Sequence, residues 1–504
     1  MAMSAGVQTQ QRLRTALPLA VPLPLPLSPF EALRRVAGLP MAILLESALP
    51  GGECGRYSWL SADPFATLRV RGQELCWQYG GASYREHGHA WLALRRVLAT
   101  MRQWPRPGLP PFPGGVAGVW NYELAQHLER IPRAGHDDFS LPELVVGFYD
   151  WVAFWDHARG QSWLISTGWP EHEPERRYRR AQQRLEQVRA WLECAEPQPL
   201  EARHPVQQAD PDLRLAPQFP LPRLADLTSN FSRNAYCQAV QRAIDYVHAG
   251  DCFQVNLAQR LLYPARLSPL ELYGRLRQVN PAPFAGYFDA GEYVLCSASP
   301  ELFLRVQPDG WVETRPIKGT RPRSDDPQQD EQHRLELLAS GKDRAENVMI
   351  VDLLRNDLGR VCRYGTVQVS AVCQLETYRT VHHLVSVVQG QLRPECDALD
   401  LLQATFPGGS VTGAPKIRAM QIIAELEPTV RGPYCGCLGY VGFDGSAEWN
   451  ILIRTCTVAR GWVQFPVGGG IVADSQPELE YEETLHKAEG ILRALEEPAF
   501  APRA

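Results

Sequence analysis

The sequence predicts an α/β fold, and three stretches carry that prediction. From Phe30, FEALRRVAGLPMAILLES patterns first as a helix and then as a strand. SWLISTGWP (162–170) reads as a strand, and EPERRYRRAQQRLEQVRAWLE (173–193) as a charged helix. After Asn230, strands, helices and glycine turns alternate to about residue 497, without the short repeat of a solenoid.

The chain has 504 residues, enough for two or more units of roughly 100–200 residues each. We divide it into a mostly disordered leader (1–28), an N-terminal α/β region (29–195), a proline-rich linker (196–229) and a second region (230–497). Residues 16–27, ALPLAVPLPLPL, are apolar, but their prolines break the helix that a signal segment or membrane span requires. No run of about 18 apolar residues occurs elsewhere, so no membrane partner is expected. The net charge of −5 and the lack of a basic run argue against nucleic acid. Twelve cysteines lie scattered without Cys-x-x-Cys spacing. That pattern argues against structural zinc and fits free thiols in a reducing cytoplasm.

The second region carries most of the chemistry. CFQVNLAQR (252–260) alternates like a strand, with Phe253, Val255 and Leu257 on one face and Gln254, Asn256 and Arg260 on the other. KDRAENVMIVDLLRNDLGR (342–360) reads as a helix with apolar Ala345, Val348 and Met349. GGSVTGAPKIRAMQIIAEL (408–426) is a glycine loop entering a helix, with Pro415 suited to the first turn. ELEYEETLHKAEGILRAL (478–495) is a helix with a stripe at Tyr481, Leu485, Ala488, Leu492 and Leu495.

Residue by residue, these segments leave their roles open. Glu480, Glu483 and Lys487 share one helix face that could line a cleft edge, but taken alone Glu483 and Lys487 read as an ordinary i,i+4 surface pair. Asp343 and Glu346 are a second acidic pair, equally a solvated face. If the two helices met, their carboxylates would suit Mg²⁺, which takes one or two carboxylates, waters and anionic oxygens of the substrate. The 408–413 loop would suit a carboxylate or phosphate, or is a tight turn. The glycine run VGGGIVADS (467–475) would let a backbone approach a ligand. Lys318 is a surface cation or, if buried, an amine nucleophile. Glu301 is a turn residue or, if buried, a general acid. His383 and Arg454 sit inside apolar runs and need polar partners.

Taken together, GDCFQVNLAQR, SASPELF, PIKGT, DRAENVMIVDLLRND, FPGGSVTGAPK, GGGIVAD and ELEYEETLHKAEG resemble the chorismate-utilising enzyme family from about Asn230 to Leu495. LLES (44–47), GRYSWL (55–60) and PFPGGVAGVWNYEL (111–124) look like its anthranilate and aminodeoxychorismate branch. The resemblance implies a sandwich of large mixed or antiparallel sheets with helices outside. It implies chorismate as substrate and Mg²⁺ as cofactor, held by Glu346 and Glu483 with Asp343 and Glu480 in support. Glu301 matches the general acid that protonates the departing 4-hydroxyl, and His383 a residue beside the reacting ring. Tyr434, Arg454, Gly468 and Lys487 match groups that hold the substrate carboxylates. Gln254, Gly319, Thr320 and Gly469 complete the substrate-binding positions.

Two positions subdivide the family. Water-adding members resemble one another in a lysine where this chain has Gln254, so the resemblance implies ammonia as nucleophile. Anthranilate synthases usually carry alanine where this chain has Lys318. Lysine there implies the aminodeoxychorismate branch, with attack on C2, amination at C4 and retention of the enolpyruvyl group; anthranilate synthesis is the alternative. No Gly-x-Cys-x-Gly turn is present, so a separate glutamine amidotransferase subunit is expected to supply ammonia. The N-terminal region of the family can bind tryptophan, and LLES and GRYS look like that pocket.

Overall fold

The computed structural model describes residues 17–496 except 24, 50–53, 104, 106–107, 195–203, 207 and 379–380. Two antiparallel sheets dominate the described residues, one of 13 strands and one of 12. Each combines strands from both ends of the chain. In the larger, Ile43–Glu46 pairs with Phe284–Asp289; in the smaller, Gly115–Trp120 pairs with Cys437–Gly442.

The strand Leu144–Tyr149 shows how sequence produces the layering. All six residues are buried, because successive side chains point to opposite, equally apolar faces. Val145 and Tyr149 face the other sheet, in a cluster with Ile43, Trp59, Phe154 and Tyr440. Leu144, Val146 and Phe148 face outward, in a cluster shared with the helices Ala90–Leu98, Gly341–Gly359 and Ala398–Thr405. The outer face of the larger sheet is covered by Pro29–Val36, Pro174–Glu193, Pro269–Val279 and Pro477–Glu496. The expected sandwich with outer helices is therefore the observed fold.

Local expectations meet three corrections. Residues 1–16 lie outside the described residues, but Leu19–Pro22 is an edge strand on Gln161–Ser166, so the leader does not extend to 28. Within 196–229, Phe219–Pro220 and Thr228–Ser229 extend the larger sheet beside Gln254–Pro264. Backbone pairing at a sheet edge gives order to a stretch whose prolines suggest a loop. The helix Gly341–Gly359 buries Asn347, Ile350, Val351, Leu354 and Leu358, while Val348 is 51% exposed. Its core face is thus rotated from the Ala345, Val348 and Met349 set, because the adjoining sheet selects which side is covered.

Candidate active site

The site lies where elements of both sheets converge. From the larger sheet come Gln254, at the start of Gln254–Pro264, and Gly468 and Gly469 in Trp462–Ile471. These two strands pair antiparallel. From the smaller sheet come Lys318, Gly319 and Thr320 in Ile317–Pro322, and His383 in Val381–Gln391. Glu301 directly precedes Leu302–Val306. The helix Pro477–Glu496 packs on the larger sheet and Gly341–Gly359 on the smaller.

These two helices bring their acidic pairs together. Lys342 reaches across to Glu480 at 3.3 Å, and Ser475 donates to the same Glu480 oxygen at 2.6 Å. Lys318 Nζ lies 3.6 Å from Glu346 Oε2. Lys487 lies 2.6 Å from Glu483 and donates to the Gly468 carbonyl at 2.9 Å. Arg321 stands 3.5 Å from Asp343. The i,i+4 pair Glu483–Lys487 is therefore part of a network at a glycine strand. A Cβ on Gly469 would lie 3.3 Å from Glu480 Oε2, 3.4 Å from Glu483 Oε1 and 3.6 Å from Lys487 Nζ. The missing side chain leaves a hollow onto which both carboxylates converge.

Charge in this hollow is closely balanced. Burial holds the Glu346 carboxyl above its usual range, helped by Asp343 and Glu483 and opposed by Lys318 and Lys342. Burial also pushes Glu483 up, but Lys487, Lys342 and Lys318 outweigh it and leave its carboxyl lowered. Glu480 is buried, and its Oε2 has no hydrogen-bond partner among the described residues. An unpaired buried carboxylate oxygen is costly unless a cation meets it. Among the described residues no three His, Cys, Asp or Glu side chains form a preformed cage. Mg²⁺ needs only one or two carboxylates, so this donor set, with the orphaned Glu480 oxygen beside a glycine strand, fits Mg²⁺.

Burial shifts two further titratable groups, Glu301 and His383. Glu301 is 5% exposed, and burial pushes its carboxyl up to about 7; the Ser410 hydroxyl, Lys318, the Ile317 N–H and Arg454 act in the other direction. Burial also pushes His383 down to about 3, with Arg454 adding to the effect. Its neutral ring shares a 2.8 Å hydrogen bond with the Thr320 hydroxyl. Arg454 adopts φ 50°, a region that bulky side chains avoid, and its guanidinium donates no hydrogen bond to the described residues. Gln254 is fully buried against Gly470, and both its side-chain polar atoms lack partners among the described residues. Unpaired donors and acceptors of this kind suit a polar ligand.

Residues without an assigned role in the sequence reading also contribute to the site. Arg431 and Glu427 form an ion pair at 2.6 Å, 2% and 5% exposed. Arg431 donates to the carbonyls of Val411 and Asn256, and its guanidinium lies 5.5 Å from the Tyr434 ring. Tyr434 is buried, and burial pushes its hydroxyl well above the usual phenol range. The i,i+4 spacing of Glu427 and Arg431 is visible in sequence, but looks like a surface pair. Lys342, Ser410 and Ser475 lie inside or beside the quoted motifs; nothing in spacing alone singles them out. The glycine loop uses the Val411 and Thr412 N–H groups in its own turn, with Gly408 and Gly409 carbonyls.

A model of the family described as chorismate binding enzyme matches residues 44–493. This chain belongs to the chorismate binding enzyme family. It is 41% identical over 461 residues to anthranilate synthase component 1 of Thermus thermophilus, covering 91% of this chain and 92% of that one. It is 38% identical over 464 residues to aminodeoxychorismate synthase component 1 of Escherichia coli, covering 92% and 95%. The crystal structure of anthranilate synthase component I from Streptococcus pneumoniae superposes with TM-score 0.72 at 29% identity, covering 94% of this chain and 98% of that chain.

A second concavity of about 450 Å³ lies between the sheets. Leu45 and Glu46 of LLES, and Arg56 and Tyr57 of GRYS, share its wall with Phe284 and Tyr440. Glu46 is fixed by the Tyr273 hydroxyl at 2.8 Å and by Arg277. Among the described residues no helix is long and apolar enough to cross a membrane.

Proposed function

We propose that this chorismate binding enzyme is an aminodeoxychorismate synthase, converting chorismate and ammonia to 4-amino-4-deoxychorismate for para-aminobenzoate and folate synthesis. The observation that carries the reading is the position of Lys318. Its side chain is 12% exposed, faces Glu346 at 3.6 Å and acts electrostatically on Glu301. In this reading the free Lys318 amine bonds to C2, the two conjugated ring double bonds each move one position toward C4, and the C4–O bond breaks. Glu301 gives its proton to the departing oxygen, which leaves as water. Ammonia then bonds to C4, both double bonds shift back, the Lys318 nitrogen leaves C2 as the free amine, and the Glu301 carboxylate regains a proton from the new C4 ammonium.

Around that exchange, Lys487, Arg454 and Tyr434 hold the substrate carboxylates, with Gln254, Gly319, Thr320, Gly468 and Gly469 shaping the pocket. Neutral His383 lies beside the ring, held by Thr320. Glu346 and Glu483, supported by Asp343 and Glu480, would hold Mg²⁺, which supplies positive charge between these carboxylates and the anionic substrate. The described cysteines are all free thiols, which suits a reducing cytoplasm.

Chorismate supplied with Mg²⁺ and ammonium should yield the amino product without stoichiometric pyruvate. Stoichiometric pyruvate with anthranilate fluorescence would instead identify an anthranilate synthase, the alternative that similarity to relatives of both names keeps in play. A glutamine amidotransferase subunit is the proposed ammonia source. Gel filtration should show a joint peak of the two subunits; separate elution with and without glutamine and chorismate would refute the partnership.

The 450 Å³ concavity has the size of a small-molecule pocket and is proposed to take tryptophan. Saturating tryptophan should raise the melting temperature by about 1–2 °C or more. An unchanged transition at millimolar tryptophan would remove this ligand from consideration.

A further inference from the structure

The Ser410 hydroxyl donates to Glu301 Oε1 at 2.7 Å. Both partners are held independently of that bond. Glu301 is anchored through its backbone: its N–H reaches Ser299 Oγ at 3.3 Å, and its carbonyl accepts from the Ile451 N–H at 3.2 Å. The loop carrying Ser410 is fixed at several points. Thr412 Oγ1 donates to the Gly408 carbonyl at 2.9 Å, and Arg431 Nη1 to the Val411 carbonyl at 2.9 Å. At the loop's end, Lys416 pairs with Asp357 of the Gly341–Gly359 helix at 2.7 Å. The loop also packs without slack: a Cβ on Gly408 would lie 2.4 Å from Ile451 Cδ1, and one on Gly409 2.4 Å from Leu353 Cδ2.

We infer that Ser410 is a positioning residue for the acid, occupying Glu301 Oε1 so that the transferable proton resides on Oε2. This inference rests on the reading of Glu301 as general acid. A carboxyl has two oxygens of equal intrinsic basicity, and a donor fixed on one makes that oxygen the poorer site for the proton. The other charged and titratable groups facing Glu301 are Lys318, Arg454 and Cys435. Lys318, the Ile317 N–H and Arg454 favour the carboxylate, as the Ser410 donor does. Removing the Ser410 hydroxyl therefore has two separable effects. The proton is no longer directed to one oxygen, which slows the reaction. The carboxylate also loses a donor, so Glu301 holds its proton to higher pH.

The test follows chorismate consumption by wild type, Ser410→Ala, Ser410→Thr and Glu301→Gln across roughly pH 5.5–9, at constant free ammonia and saturating Mg²⁺. In Ser410→Ala the low-pH plateau of kcat/KM should fall about tenfold, and the midpoint of its alkaline fall should rise by about one pH unit. Ser410→Thr should restore both. Poor folding lowers the plateau without moving the midpoint, so a Ser410→Ala midpoint equal to the wild-type value overturns the inference. If Glu301→Gln retains wild-type activity, the general-acid reading itself fails, a result distinguishable from the failure of Ser410.

Discussion

Replacing Lys318 by alanine is expected to lower kcat for amination by about 100-fold or more, equivalent to roughly 2.7 kcal/mol of barrier. The protein should remain folded. Lys318 lies in one strand of a broad sheet, and its Glu346 partner still feels Lys342 after the substitution. Removing one partner of this largely buried ion pair costs stability, with Lys342 left to face Glu346, so the melting temperature of the variant is measured beside its rate. Lys318→Arg separates two roles. Arginine keeps the positive charge but is not an amine nucleophile, so it should be as slow as alanine if Lys318 bonds to C2. Recovery of rate with arginine would reduce the residue to an electrostatic role. A Lys318→Ala enzyme at the wild-type rate would eliminate the covalent step.

Glu301→Gln should cost about 10²–10⁴ in kcat/KM, the usual range for a general acid. The pH dependence supplies the sign. Burial raises the carboxyl to about 7, so the acid form predominates below that pH and is lost above it. With free ammonia held constant, the Glu301 proton should contribute to kcat/KM for chorismate a factor that is level on the acid side and falls as pH rises through about 7. Glu301→Gln should lose that fall along with the rate. His383, pushed down to about 3, adds no change of charge across this range. The same alkaline fall persisting in Glu301→Gln would assign it to another group and sink the role of Glu301.

Much of the site was legible because its residues lie in contiguous motifs. Glu480, Glu483 and Lys487 fall on one face by helix periodicity, and the structure keeps them there, facing Gly469. Their meeting with Glu346 was not legible from spacing. It depends on two helices, more than a hundred residues apart in sequence, packing on different sheets that end at one cleft. Glu427 and Arg431 illustrate the opposite failure. Their spacing looks like that of an exposed pair, yet the structure buries both and uses Arg431 to hold two backbone carbonyls at the site.

The sequence by itself determined the alternation of strands and helices, the family, and the residue types available for acid, amine, anion and metal chemistry. Periodicity and motif wording are local properties, and they survive without knowledge of the fold. Tertiary structure alone decided which charges face one another, which carboxyl is buried enough to keep its proton, and which hydroxyl meets it. Those are properties of distance and desolvation, and both arise only when segments remote in the chain are packed together. Lys318 spans the two levels. Its identity as lysine is sequence, whereas its enclosure between Glu346 and Glu301 exists only because the cleft closes around it.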